Sequence, residues 1–91
     1  MSEQKVVTKH PLGKTGRRID KEKYEMLKRA ILNTLRGKEL THTDLMDVLA
    51  EKLTGKFTDN IYWYAETVKL DLEARKIIER TTSKPQRYRI K

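Results

Sequence analysis

The sequence predicts an α+β fold: three helices, then a two-stranded β-hairpin, with an extended N-terminal arm ahead of the first helix. Three observations carry the prediction. Apolar residues recur at helical spacing in three separate stretches, each opened by a capping residue. Arg87-Tyr88-Arg89-Ile90 alternates polar and apolar, the period of a half-buried strand. Residues 1–19 show no period at all and are broken by His10-Pro11, Gly13 and Gly16.

The first helix is expected near 20–36. Asp20 stands at its N-cap and Glu22 in its first turn, where the helix dipole favours negative charge. Tyr24, Leu27, Ile31 and Leu35 form one face, widened by Ala30 and Leu32, and Arg36-Gly37 is a stop signal. The second helix is expected near 42–54. Thr41 as N-cap leaves Asp44 three residues on, and Leu40 can staple to Leu45. Leu45, Val48, Leu49 and Leu53 make its stripe, and Gly55 closes it. Lys38-Glu39-Leu40 leaves room for only a very short strand. Thr58-Asp59-Asn60 offers cap chemistry for a third helix near 59–75, with Ile61, Ala65, Val68 and Leu72 inward. Strands are expected near 77–80 and 87–90, with Tyr88 and Ile90 on the core side and a loop from Thr81 to Gln86. In the arm, Leu12 and Ile19 are the residues available to pin it on the body.

Three helices and a terminal hairpin are the order of a winged helix-turn-helix domain. Leu72, Lys76, Ile77, Ile78, Glu79 and Arg80 resemble the end of the third helix and the first wing strand of bacterial winged-helix regulators. There the pattern is Leu, three variable residues, Gly, two aliphatics, an acidic and a basic residue. Lys76 stands at the Gly position, where the helix-to-strand turn calls for a positive φ that non-Gly residues seldom adopt. The resemblance covers residues 20–91. The whole chain, with His10-Pro11, Gly13-Lys14 and Trp63-Tyr64, is similar to a small bacterial family of winged-helix proteins without an assigned function. It implies the fold and, more weakly, DNA binding.

Length and composition bound the rest. Ninety-one residues make one small domain. The net charge is +8, and it is unevenly placed. Residues 1–19 carry five basic residues against Glu3, and residues 75–91 carry seven against Glu79, whereas the middle has nine basic and eleven acidic. Two basic ends on a near-neutral body suit a polyanionic partner. With no Cys, disulfides, thiolate metal sites and cysteine catalysis are excluded, and a reducing, cytoplasmic setting is expected. There is no apolar run of signal-peptide or membrane-span length, so no membrane partner is expected.

Catalytic chemistry finds no residues to stand on, and no enzyme activity, cofactor or small-molecule substrate is expected. Gly13-Lys14-Thr15 lacks the earlier Gly of a phosphate-binding loop, because Thr8 occupies that position. His10 and His42 have no second ligand at metal spacing, and His42 reads as an exposed first-turn residue. Ser2 and Ser83 lie in a tail and a loop without a base.

The basic ends and the third helix are the candidate site. Opposite its core stripe that helix carries Asp59, Trp63, Glu66 and Leu70. Asn60, Tyr62, Thr67 and Lys69 flank them and suit base or phosphate contacts. Asp71 and Glu73 read as further negative charge along it. Arg80, Lys84, Arg87 and Arg89 on the hairpin, and Lys14, Arg17 and Arg18 on the arm, are expected on the backbone of double-stranded DNA. The reading is a transcription regulator. Its alternative is a protein-interaction or self-association module, a homodimer for example, using Trp63 and Leu70, which are too apolar for an ordinary outward face. Both readings need the same core. Ile31→Ala or Leu72→Ala is expected to destabilise the fold by about 2–5 kcal/mol, visible as a lowered urea midpoint.

Overall fold

A computed structural model describes residues 4–14, 16–57 and 60–91. The elements are β1 (Lys5–Val7), β2 (Arg18–Asp20), α1 (Lys21–Leu35), β3 (Leu40–Thr41), α2 (His42–Lys52), α3 (Ile61–Ala74), β4 (Ile78–Arg80) and β5 (Arg87–Ile90). The result is a mixed α+β fold of three helices and two small sheets.

The helices pack on one another through the stripes their spacing prescribes. Leu27, Ile31, Leu35, Leu45, Leu49, Ala65, Val68, Leu72 and Ile78 are all buried in one cluster. Ile61, expected with them, is only half-buried. In α2, Met46 is buried in addition to the expected stripe, and Val48 is half-buried. The second helix begins as its cap predicts: the Asp44 N–H donates to Thr41 Oγ1 at 3.2 Å. At α3 the Trp63 N–H donates to Asn60 Oδ1, also at 3.2 Å, so the helix starts at Ile61. Thr58 and Asp59, the other cap candidates, lie outside the described residues, as does Thr15. Asp20 departs from its expected role. It occupies the N-cap of α1 without making a side-chain cap bond. Its carboxylate is drawn instead to Lys5, its register partner across the β1–β2 ladder, and to Lys23 at 3.6 Å.

The second sheet has the order β3-β5-β4, all antiparallel. Tyr88 pairs with Leu40 on one side and Arg80 on the other, and its ring is buried as the alternation predicts. Ile90, expected on the core side, is exposed, although it stands opposite the buried Ile78; it ends β5 in the last register pair of the ladder.

The largest departure is the arm. Residues 5–7 and 18–20 are not a featureless extended segment but an antiparallel ladder with Val6 opposite Ile19. Thr8 prolongs it: its N–H donates to the Arg17 carbonyl, and its Oγ1 accepts from the Arg17 N–H, both at 2.8 Å. The hairpin escaped the sequence reading because its strands are three residues each and its apex is long. Ile19 pins it on the core, but Leu12 is solvent-exposed. Gly16 allows the closure. A Cβ there would sit 1.6 Å from the Thr8 carbonyl oxygen, which no side chain survives.

Lys76 adopts the strained turn that its place in the sequence demands, at φ 64°. The Ile77 N–H donates to the Leu72 carbonyl at 2.9 Å and the Lys76 N–H to the Glu73 carbonyl at 3.0 Å. This pair of bonds is a Schellman cap, and it consumes Ile77, so the strand starts one residue later than expected. A left-handed conformation costs an L-residue roughly 1–2 kcal/mol, most of which Gly avoids. Lys76→Gly is therefore expected to stabilise the domain by about 1 kcal/mol and raise its midpoint by roughly 4–8 °C in thermal unfolding.

Candidate nucleic-acid interface

Helix α3 sits between the hairpin arm and the three-stranded sheet, and each flank is held by a different polar group. On the arm side the group is Asp71, which is wholly buried. Its carboxylate accepts from the Tyr24 hydroxyl, from Arg75 Nε at 2.9 and 3.0 Å, and from the Lys9 backbone N–H at 2.8 Å. Burial, and then the bond to this carboxylate, pushes the Tyr24 hydroxyl well above its ordinary pKa. Asp71 is thus no exposed negative charge along the helix, as its sequence setting suggested. It joins α1, α3 and the arm.

On the sheet side the group is Lys69. The sequence placed it on the surface as a DNA contact, but it is 3% exposed. Its ammonium lies 4.0 Å from the Tyr88 ring centroid, a cation–π contact, and 2.9 Å from His42 Nδ1. An ammonium only donates, so Nδ1 accepts and the imidazole is neutral with its proton on Nε2. His42 is correspondingly half-buried rather than exposed. Burial, and then the Lys69 charge, lowers its pKa, with Glu66 opposing.

The hairpin arginines are engaged by acids. Arg80 makes a two-pronged pair with Glu73, one bond at 2.7 Å. Arg89 Nε donates to Glu79 at 2.8 Å and its Nη1 lies 3.6 Å from Glu39, which also stands 3.9 Å from Arg87. Glu73 is thus a partner to Arg80, not open negative charge. Lys84 is exposed in the β4–β5 loop. The arm differs. Lys9, Lys14, Arg17 and Arg18 are exposed, and among the described residues none forms an ion pair.

The remaining predicted residues lie on the outer face of α3. Tyr62 and Trp63 are 52% and 41% exposed. Trp63 packs edge-on against Tyr64 at 4.8 Å, and Tyr64 against Phe57 at 5.1 Å, so only its outer part meets solvent. Thr67 Oγ1 donates to the Trp63 carbonyl at 2.8 Å, and Leu70 is half-buried. The arm apex lies over these residues. Between them is a cleft of about 270 Å³, with Lys14 and Arg17 on one wall and Trp63, Glu66, Thr67 and Leu70 on the other. The structure therefore brings Lys14, Arg17, Trp63, Thr67 and Leu70 together, removes Lys69, and leaves Arg80, Arg87 and Arg89 as a separate, charge-compensated group. The sequence reading missed Asp71, Glu39 and the Lys9 N–H. Each meets its partner far along the chain, and no local pattern signals that.

A family model matches residues 5–88, nearly the whole chain, and its description is "family of unknown function (DUF6958)". The chain belongs to this family. No curated relative and no solved structure matches it. Among the described residues, no helix is long and apolar enough to cross a membrane.

The His42–Lys69 pair makes stability depend on pH. The unfolded imidazole titrates near 6.5 and the folded one lower. Between the two, the unfolded chain binds more protons, so stability falls as pH drops below about 6.5. His42→Asn keeps an acceptor for Lys69 without a titrating ring. Its urea midpoint is expected to fall less than that of the wild type between about pH 7 and pH 5.5.

Proposed function

We propose that the protein is a DNA-binding winged-helix module, acting in transcription regulation, that grips the duplex backbone with its arm more than with its wing. The order of α1, β3, α2, α3, β4 and β5, with the short β3 beside the last strand, supports the winged-helix reading. The observation that carries the function is the charge state of the two basic ends. Phosphate contacts need cations that are exposed and uncommitted. Lys9, Lys14, Arg17 and Arg18 meet that condition beside α3, and Lys84 meets it on the wing. Arg80, Arg87 and Arg89 would first have to leave Glu73, Glu79 or Glu39. Tyr62, exposed on α3, and Asn60 at its cap are the groups nearest to a base-reading role.

A second reading has its own support. Two exposed aromatic residues beside the acidic Glu66 suit a protein partner or a second copy. Fluorescence anisotropy on a labelled duplex separates the two. Affinity is expected to fall linearly on a log–log salt plot. Arg17→Ala or Arg18→Ala should weaken binding and reduce the slope by about 0.9 for each phosphate that the variant no longer neutralises. Arg89→Ala should leave the slope unchanged. Absence of binding at about 50 mM salt, where such contacts are strongest, combined with a concentration-dependent mass that Trp63→Ala abolishes, would establish the protein-interaction reading instead.

A further inference from the structure

The geometry points to the arm–α3 cleft as a binding site for a single unpaired guanine nucleotide, its ring on Trp63, its phosphate on Lys14 and Arg17, and its amino edge on Glu66. This rests on the reading of the arm as a phosphate-binding element and gives that site a specific ligand.

Size comes first. At about 270 Å³ the cleft lies just under the smallest ordinary ligand pockets, roughly 300 Å³. It takes one ring system and its substituents, not a duplex groove or a peptide. The walls then select the chemistry. The outer part of the Trp63 indole lines the cleft, its inner part packed edge-on against Tyr64, and Leu70 continues the apolar surface. A flat aromatic ring is the ligand that such a surface holds best, by stacking. Facing it are Lys14 and Arg17, exposed cations with no ion pair among the described residues. They call for an anion, and Arg in particular for a planar or tetrahedral oxyanion.

Glu66 narrows the choice. It lines the same cleft, yet makes no ion pair with these cations among the described residues. A carboxylate only accepts hydrogen bonds. It therefore rejects a ring edge that presents acceptors and favours one that presents adjacent N–H donors. Guanine, with N1–H and the 2-amino group side by side, offers two donors to the two oxygens. Adenine offers one amino group beside an acceptor nitrogen. A base paired in a duplex has this edge occupied, so the nucleotide must be free or in a single strand.

Trp63 is the sole tryptophan, so its fluorescence reads the site directly. The intact protein is titrated with 5′-GMP, 5′-AMP, guanosine and inorganic phosphate. Saturable quenching is expected with GMP, at least ten-fold weaker quenching with AMP or guanosine, and none with phosphate. Arg17→Ala should reduce GMP to the level of guanosine. Glu66→Gln should remove the preference for GMP over AMP while circular dichroism shows the fold intact. A single-stranded oligonucleotide with one guanine, run beside GMP, tells a strand from a free nucleotide by which binds more tightly. Equal quenching by GMP and AMP, or quenching that never saturates, would overturn the proposal. If duplex binding by the arm persists in that case, only the cleft assignment falls; if GMP binds with the stated preferences and no duplex does, the DNA reading falls and the cleft stands.

Discussion

The buried carboxylate of Asp71 is the constraint around which the other pieces are arranged. An ionised group without solvent is costly unless its oxygens are fully hydrogen-bonded. Here the partners come from three parts of the chain: the Tyr24 hydroxyl on α1, Arg75 one turn along α3, and the Lys9 backbone on the arm. Each fixes a position. Tyr24 sets the distance between α1 and α3, Arg75 closes the last turn of α3 before the strained step at Lys76, and Lys9 lays the hairpin along the helix. A hydrogen bond to a charged group contributes about 1.5–3 kcal/mol, so the loss of this one carboxylate would remove support from all three at once.

Charge is distributed by the same logic of pairing. The sequence has two basic ends, but folding treats them differently. Glu39 stands just before β3, and the pairing of β3 with β5 brings it beside Arg87 and Arg89. Glu79 stands opposite Arg89 in the β4–β5 register, and Glu73 at the end of α3 reaches Arg80. The middle of the chain, through Glu39 and Glu73, and the hairpin's own Glu79 therefore supply the counter-charges of the hairpin, while among the described residues the arm receives none for Lys14, Arg17 or Arg18. A net charge of +8 describes the chain; what folding changes is which basic end stays open, since the wing arginines are paired with acids while Lys14, Arg17 and Arg18 of the arm and Lys84 of the wing loop are exposed outside the ion pairs of the described residues.

What could be read from the sequence follows from the range of the interactions involved. The helices were legible because their signals are local: cap residues at Thr41 and Asn60, stripes at Leu27, Ile31, Leu45, Leu49, Val68 and Leu72, and a glycine stop at Gly37. The turn at Lys76 was legible as a position even with the wrong residue in it. The β1–β2 ladder was not, because three-residue strands with Lys, Val, Arg and Asp show no period that an irregular segment would lack. Lys69 was misplaced for a related reason. A helical wheel puts it on the flank of α3, but the neighbours that bury it, His42 and Tyr88, come from α2 and β5. The candidate site suffered most from this, since half of it is a face of α3 and the other half an arm whose docking depends on a residue 62 positions away.

That docking has a dynamic consequence. The hairpin carries its own ladder, and Ile19 holds its base in the core. Among the described residues, the hydrogen bond from its apex to α3 is the one between Lys9 and Asp71. Releasing it would leave Asp71 still bonded to Tyr24 and Arg75, so the apex could part from α3 without breaking the bonds of the body. If that bond, about 1.5–3 kcal/mol, were the whole cost of release, the released state would hold between about 0.6 and 7 per cent of the molecules. The width of the cleft is then an equilibrium quantity. A ligand that enters it would then meet a hairpin that opens and closes, and backbone amide exchange at Lys9 would track that motion separately from the slower exchange of the helical core.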